Sequence, residues 1–411
     1  MQKAAATYQR NVWKLVGITI LVKLVLSVLL ELGNDEVYYY TYALQPDWSH
    51  FDHPPMVGWL IRLSTLNLHW VSTLSMRLGA ILCSALATFV IYETGSLLKN
   101  EKAGFIASLL YTFSIYTSII AGMFIMPDSP QMLFYTLSIY FMVKWVKKPH
   151  LVKTIDFVLL GLFIGLSVLS KIHGLFLWFG WGLFILLFNR KLLVDKRLYI
   201  AGVITIICLL PIVYWNIQND FITYTYHSKR VTHRGIELDS FLREIVGEVI
   251  YQNPLVFIAV VIPFFQFKKL QLAISKEALQ LLLLLSLPIL IVFWGISLFN
   301  PTLPHWTGPA YIALILLASV YWSEYSLQMI PKIIQSAMGF LLFVIIGFVI
   351  LVYVFPTQLG SLKKENLGEY NPINDVTGWD QCNKQFATIR QKDLKAGIMH
   401  EKDPFVINKW F

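Results

Sequence analysis

The chain has 411 residues, of which 56% are hydrophobic and only 14% charged, and its mean hydropathy is +0.61. That balance excludes a water-soluble globular protein. A net charge of +9 would suggest a nucleic-acid partner in a soluble chain, but here the cations are spread between membrane spans, so no nucleic acid is expected. Cys83, Cys208 and Cys382 are odd in number and lack metal-type spacing, so neither a disulfide framework nor a zinc site is indicated.

Apolar runs of roughly 20 residues cross a hydrocarbon core as helices. Such runs place spans near 11–31, 74–98, 103–120, 128–147, 153–169, 173–189, 197–217, 250–267, 277–299, 303–322 and 331–355, about eleven in all. The fold class expected is therefore an all-α polytopic membrane protein, with its termini on opposite sides. The first run, Val12 to Glu31, is too long for a signal peptide and lacks a small-residue cleavage site, so it stays as an anchor. Lys23 lies within it and is expected to face other helices.

The first loop after this span, Leu32 to Thr73, is long and aromatic and is expected to lie along the membrane. Asp35 to Leu44 reads as a short helix, Pro54-Pro55 breaks the chain, and Met56 to Val71 reads as an interfacial helix. Asp35 and Glu36 stand at the end of a span, where a carboxylate needs water, a cation or a ligand. Adjacent helical residues point about 100° apart, so the two cannot address one atom. Either one acts while the other orients or binds, or both simply complement a helix dipole. His50, Asp52 and His53 follow in the same loop; solvation and metal binding are both open to them, although no strong metal-ligand spacing is present.

Asp128, in Met126-Pro127-Asp128-Ser129-Pro130, opens the fourth span and reads as a helix N-cap or as a second acidic contact. Lys171 and His173 mark a tight turn between two apolar spans. The lysine either snorkels to the interface or presents an ammonium to a lipid phosphate. The loop from Gln218 to Tyr251 is basic and aromatic and contains Arg230 and Arg234. It reads either as a solvated loop touching anionic headgroups or as a flap gripping a phosphate. His305 and Trp306 open a later span, where an interfacial aromatic belt explains the tryptophan better than the histidine.

Counting cations on each side puts Lys99, Lys102, Lys144, Arg190, Lys268 and Lys269 on the cytoplasmic face and the Asp35 loop outside. Beyond Pro356 the chain turns polar. A helix near Gln381 to Lys395 and a strand-like Pro404 to Phe411 read as the start of a small outward α/β domain that continues past Phe411. Residues 1–355 form the membrane domain and 356–411 this second segment.

Asp35-Glu36-x-Tyr38-Tyr39, His50-Phe51-Asp52-His53-Pro54-Pro55, Leu303-Pro304-His305-Trp306 and Gly378-Trp379-Asp380 resemble bacterial relatives of the protein O-mannosyltransferases. These are GT-C glycosyltransferases of family 39 type, distantly similar to the lipid A aminoarabinose transferases. The resemblance implies a GT-C bundle in the inner membrane that uses a polyprenyl-phosphate sugar as donor. It also implies a catalytic acidic residue in the first outward loop, which maps to Asp35. Membrane lipid surrounds the site, and the acceptor is a lipid, a glycan or a protein. No cofactor is implied, although a divalent metal is compatible.

Displacing a lipid phosphate from a sugar needs a cation at the phosphate and, for a hydroxyl acceptor, a base on the opposite face. Asp35 is the expected base, and Glu36 orients it or binds sugar. Lys171, with Arg77, Arg230 or Arg234, is expected to bind the donor phosphate, and Asp128 is an acidic contact. For an acceptor that is itself an anion, Asp35 only positions it. A transporter or flippase would also place carboxylates and a lysine near spans, but a carrier needs them near the midplane, and here they gather at one face.

Overall fold

The computed structural model describes residues 2–230, 235–354, 359–366, 368, 369, 371, 373–401 and 403. The chain begins with a long helix, α1 (Gln2–Leu29), followed by the short α2 (Asn34–Leu44) and α3 (Met56–Ser64). The bundle continues through α4 (Thr73–Leu98), α5 (Glu101–Phe113), α6 (Asp128–Lys147), α7 (Thr154–Ser170), α8 (Leu175–Phe188) and α9 (Lys196–Gln218). After α10 (Ile222–Arg230) come α11 (Leu238–Tyr251), α12 (Pro254–Phe265), α13 (Phe267–Ala273), α14 (Lys276–Ser297), α15 (Ala310–Tyr325) and α16 (Lys332–Val354). A last helix, α17 (Trp379–Lys395), follows the final span.

Helices start where a side chain can take up their unpaired N–H groups. Ser72 accepts from Ser75 N–H at 3.0 Å ahead of α4, and Asn100 accepts from Ala103 N–H at 2.9 Å ahead of α5. α15 is apolar around its whole circumference, and every residue from Ala310 to Tyr321 is buried, so it forms the interior post against α5 and α14. α1, α9 and α16 instead leave apolar faces open, among them Leu21, Ile207 and Phe343, as lipid-facing helices do.

The protein is a multi-pass membrane protein. α1, α4, α9, α14 and α16 are long and apolar enough to cross a bilayer, and α11 and α12, apolar enough together, meet at a 103° bend as a broken span or a re-entrant loop does. The other expected spans coincide with α5, α6, α7, α8 and α15, which are shorter or less apolar. We call the end that carries α2 and α3 the site end.

The sequence reading needs three corrections. The expected span 103–120 breaks, because α5 stops at Phe113 and Tyr116–Ile120 forms a π-helical turn, a feature that recurs at functional sites. α3 ends at Ser64 rather than Val71, since Leu66, Asn67 and Leu68 all take positive φ and Arg62 Nε holds the Asn67 amide oxygen at 2.8 Å. The basic loop 218–251 contains two helices, α10 and α11. The break between α11 and α12 falls at Asn253 (φ 65°), whose amide donates to the carbonyls of Phe113 and Ala337, each at 3.0 Å.

The segment beyond the last span is described only in part. The expected helix is present as α17, and the expected strand at 404–411 lies outside the described residues. Ahead of α17, Ile373 and Val376 are buried with Leu26, Leu30, Met123 and Val352. Ile373 and Val376 thus dock the start of this segment on the membrane bundle.

Candidate active site

The site is built outward from α2. Glu36 turns inward and is 2% exposed, and Arg77 of α4 is fully buried beside it. Arg77 Nε donates to Glu36 Oε1 at 2.8 Å and Nη2 to Oε2 at 2.5 Å, a two-point pairing that the planar guanidinium fits. The remaining donors reach the Leu30 carbonyl at 2.8 Å and the Glu31 carbonyl at 2.7 Å, which close the end of α1. Glu36 also accepts from Gly33 N–H at 3.0 Å and Ile125 N–H at 3.1 Å. One ion pair therefore ties α1, α2, α4 and the segment before α6 together. Two residues expected to meet sugar and phosphate separately are thus paired with each other, and the hydrogen bonds of Arg77 go to Glu36 and to carbonyls at the end of α1.

One residue earlier on α2, Asp35 faces solvent, and its carboxylate makes no hydrogen bond among the described residues. Partial burial, followed by the charges of Asp375, Asp52, Glu36 and Asp128, holds its proton affinity above the ordinary aspartate range.

The turn before α3 closes through His50 N–H to the His53 carbonyl at 3.1 Å. Tyr38 and Tyr42, one helical turn apart on α2, both donate to Asp52 Oδ1, the former at 2.8 Å. Burial lifts the Tyr38 phenol to about 12, so it remains a donor. His50 stacks on Tyr42 with centroids 3.7 Å apart. His53 lies 3.9 Å from Asp52, yet burial brings it down to about 4, so it is neutral near pH 7. α10 rests on this turn: His227 Nε2 lies 2.9 Å from the Asp52 carbonyl, and Tyr226 packs 4.6 Å from Phe51.

The other half of the site joins the start of α6 to the end of α7. Lys171 Nζ sits 2.9 Å from both carboxylate oxygens of Asp128, and the Tyr116 hydroxyl, placed by the π turn, donates to Oδ1 at 2.6 Å. Both charged groups are almost fully buried. Asp128 is thus no N-cap, and Lys171 does not snorkel. His305 lies within electrostatic reach of both, and burial, reinforced by Lys171, depresses it to about 3. His173 stacks on Phe293 at 5.0 Å, is 8% exposed, and has no hydrogen-bond partner at either ring nitrogen among the described residues. His53, His173 and His305 all feel Lys171 and Asp128, and Asp35 feels Asp52 and Asp128, so these residues share one end of the bundle. The Arg230 side chain and Arg234 lie outside the described residues.

The site thus holds an open carboxylate, a buried lysine with a standing counter-ion, and neutral imidazoles and phenols able to donate hydrogen bonds. Sequence reasoning passed over Tyr116 and Asp375, and took His227 only as one member of the basic loop. Tyr116 carries no local signal, since only the π turn aims it at Asp128.

Residues 52–215 match the family model described as dolichyl-phosphate-mannose-protein mannosyltransferase. The lipid A galacturonosyltransferase RgtD of Rhizobium johnstonii is 23% identical over 294 residues, which is 69% of this chain and 59% of that protein. ArnT from Cupriavidus metallidurans in the apo state superposes with a TM-score of 0.63 at 17% identity, covering 87% of this chain and 66% of ArnT. The same enzyme bound to undecaprenyl phosphate gives 0.62 at 18% identity, covering 86% and 66%. The chain therefore spans about three-fifths of the curated relative's length, and its fold is that of the corresponding part of ArnT.

Proposed function

We propose that this chain, a GT-C glycosyltransferase related to the protein mannosyltransferases and to ArnT, moves a hexose or pentose from a polyprenyl-phosphate donor to an acceptor at its site end. The observation that carries this reading is the placing of an open carboxylate, Asp35, in the same cluster as the buried Lys171–Asp128 pair. An acceptor hydroxyl attacks the anomeric carbon, the bond from that carbon to the phosphate oxygen breaks, and the electron pair leaves on the lipid phosphate. Asp35 takes the proton of the attacking hydroxyl. Lys171 offsets charge on the departing phosphate in a site of low dielectric, where a fixed cation acts strongly. Neutral His53 and His305 donate hydrogen bonds to sugar or phosphate oxygens. RgtD and the ArnT complex favour undecaprenyl phosphate as carrier and a glycolipid as acceptor.

As a base, Asp35 works only when ionised, so activity is expected to rise with pH through its elevated proton affinity. The test supplies purified protein with radiolabelled undecaprenyl-phosphate-linked sugar and a glycolipid acceptor. One free lipid phosphate is expected per sugar transferred. Intact donor after prolonged incubation, or donor moved across proteoliposomes with no bond broken, overturns the reading.

We place the site and the segment after α16 on the outer face of the cytoplasmic membrane, on the strength of the cation distribution. Cys382 is exposed on α17, whereas Cys83 is buried and Cys208 half-buried within spans. A membrane-impermeant maleimide added to spheroplasts is therefore expected to label Cys382. Labelling only after lysis reverses the orientation.

A further inference from the structure

The N-termini of α2 and α17 begin after Gly33 and Gly378, neither of which has a side chain to cap the helix that follows. Each helix is capped instead from the other's segment. Glu31, which precedes α2, accepts from Trp379 N–H at 2.6 Å and Asp380 N–H at 3.3 Å, and so caps α17. Asp375, which precedes α17, accepts from Asn34 N–H at 2.8 Å, and so caps α2. Glu31 N–H donates to the Val376 carbonyl at 3.0 Å, and Trp379 Nε1 donates to the Asp375 carbonyl at 3.0 Å. Ile373 and Val376, buried against Leu26 and Leu30, hold this exchange in place. Carboxylates at helix N-termini stabilise them through the exposed N–H groups and the helix dipole.

We propose that Asp375 is a positioning residue for Asp35, setting from beyond the last span the angle at which α2 presents that carboxylate to the reacting centre. The inference rests on the reading of Asp35 as the group that meets the acceptor. Asp375 also sets the charge that Asp35 experiences. After partial burial, it leads the groups that raise the proton affinity of Asp35. The others facing it are Asp52 from the turn before α3, Glu36 on the same helix and Asp128 from α6; Tyr251 at the end of α11 and Tyr39 on α2 also feel its charge. Glu36 and Asp128 are already neutralised by Arg77 and Lys171, whereas Asp375 has no cation partner among the described residues.

The test compares Asp375→Asn, which keeps an oxygen for the Asn34 N–H but loses the charge, with Asp375→Ala, which loses both. The first readout is the pH dependence of carbodiimide labelling at Asp35, followed by mass spectrometry, and it needs no turnover. The second is lipid-phosphate release. In Asp375→Asn the labelling midpoint is expected to fall by a few tenths of a pH unit or more. The acid limb of turnover should move with it, because an aspartate relieved of a neighbouring negative charge stays ionised to lower pH. Asp375→Ala is expected to lose about tenfold in kcat with the donor KM unchanged, the size of a lost helix cap. An unchanged midpoint in Asp375→Asn, or wild-type kcat in Asp375→Ala, overturns the proposal. If Asp375→Ala does not fold, Asp375→Glu, which keeps the charge but displaces the cap from the Asn34 N–H, takes its place with the same loss in kcat expected, and wild-type kcat there overturns the proposal. If the wild type releases no lipid phosphate, it is the transfer reading that fails, and labelling still decides whether Asp375 governs Asp35.

Discussion

Replacing Asp35 by asparagine is expected to lower sugar transfer about a thousandfold, within the range typical of a lost general base, with little change in the donor KM. The substitution is nearly isosteric, and the carboxylate it removes makes no hydrogen bond among the described residues, so thermal stability should match the wild type. This separates it from the neighbouring carboxylates: Glu36, Asp52, Asp128 and Asp375 all hold structural partners whose loss would disturb the fold as well. The measurement is single-turnover release of lipid phosphate with saturating acceptor. Activity within about tenfold of wild type would sink the role as base and leave Asp35 as a group that only positions an acceptor already ionised.

The largest effect on stability is expected at Arg77. Removing one partner of a buried ion pair typically costs about 3–5 kcal/mol, because the other charge is left uncompensated. Arg77→Met strands Glu36 and also withdraws the donors that close α1 at Leu30 and Glu31. Arg77→Lys should rescue little, since an ammonium cannot reproduce the two-point fork. The double variant Glu36→Gln with Arg77→Met should be less destabilised than the sum of its singles, because the stranded charge is gone. Thermal unfolding in detergent across the four proteins measures this, and additive losses would refute the coupling.

The helical bundle was legible in the sequence because membrane helices announce themselves by long apolar runs, and α2 was legible because acidic residues open it. Helical geometry also required that Asp35 and Glu36 take different roles. Geometry alone did not say which took which; the family resemblance mapped the acting residue to Asp35, while the partner of Glu36, 41 positions away at the start of α4, left no local sign. The same distance problem concealed the direct pairing of Lys171 with Asp128, 43 positions apart, although both were placed at the site. The π turn and the left-handed Leu66–Leu68 stretch were illegible for another reason: both interrupt stretches whose composition is compatible with a continuous helix. The cross-caps of α2 and α17, between residues 341 and 348 positions apart, leave no local trace at all.

The standing partner of Lys171 bears on how the cycle ends. A lysine left bare in a buried pocket would hold a spent lipid phosphate tightly, and the carrier would become an inhibitor of its own next delivery. On the proposed role of Lys171, Asp128, kept in place by Tyr116, competes with the spent lipid phosphate for the same ammonium. Such competition would weaken the hold on the exhausted carrier and favour its return to the bilayer, giving up affinity for throughput.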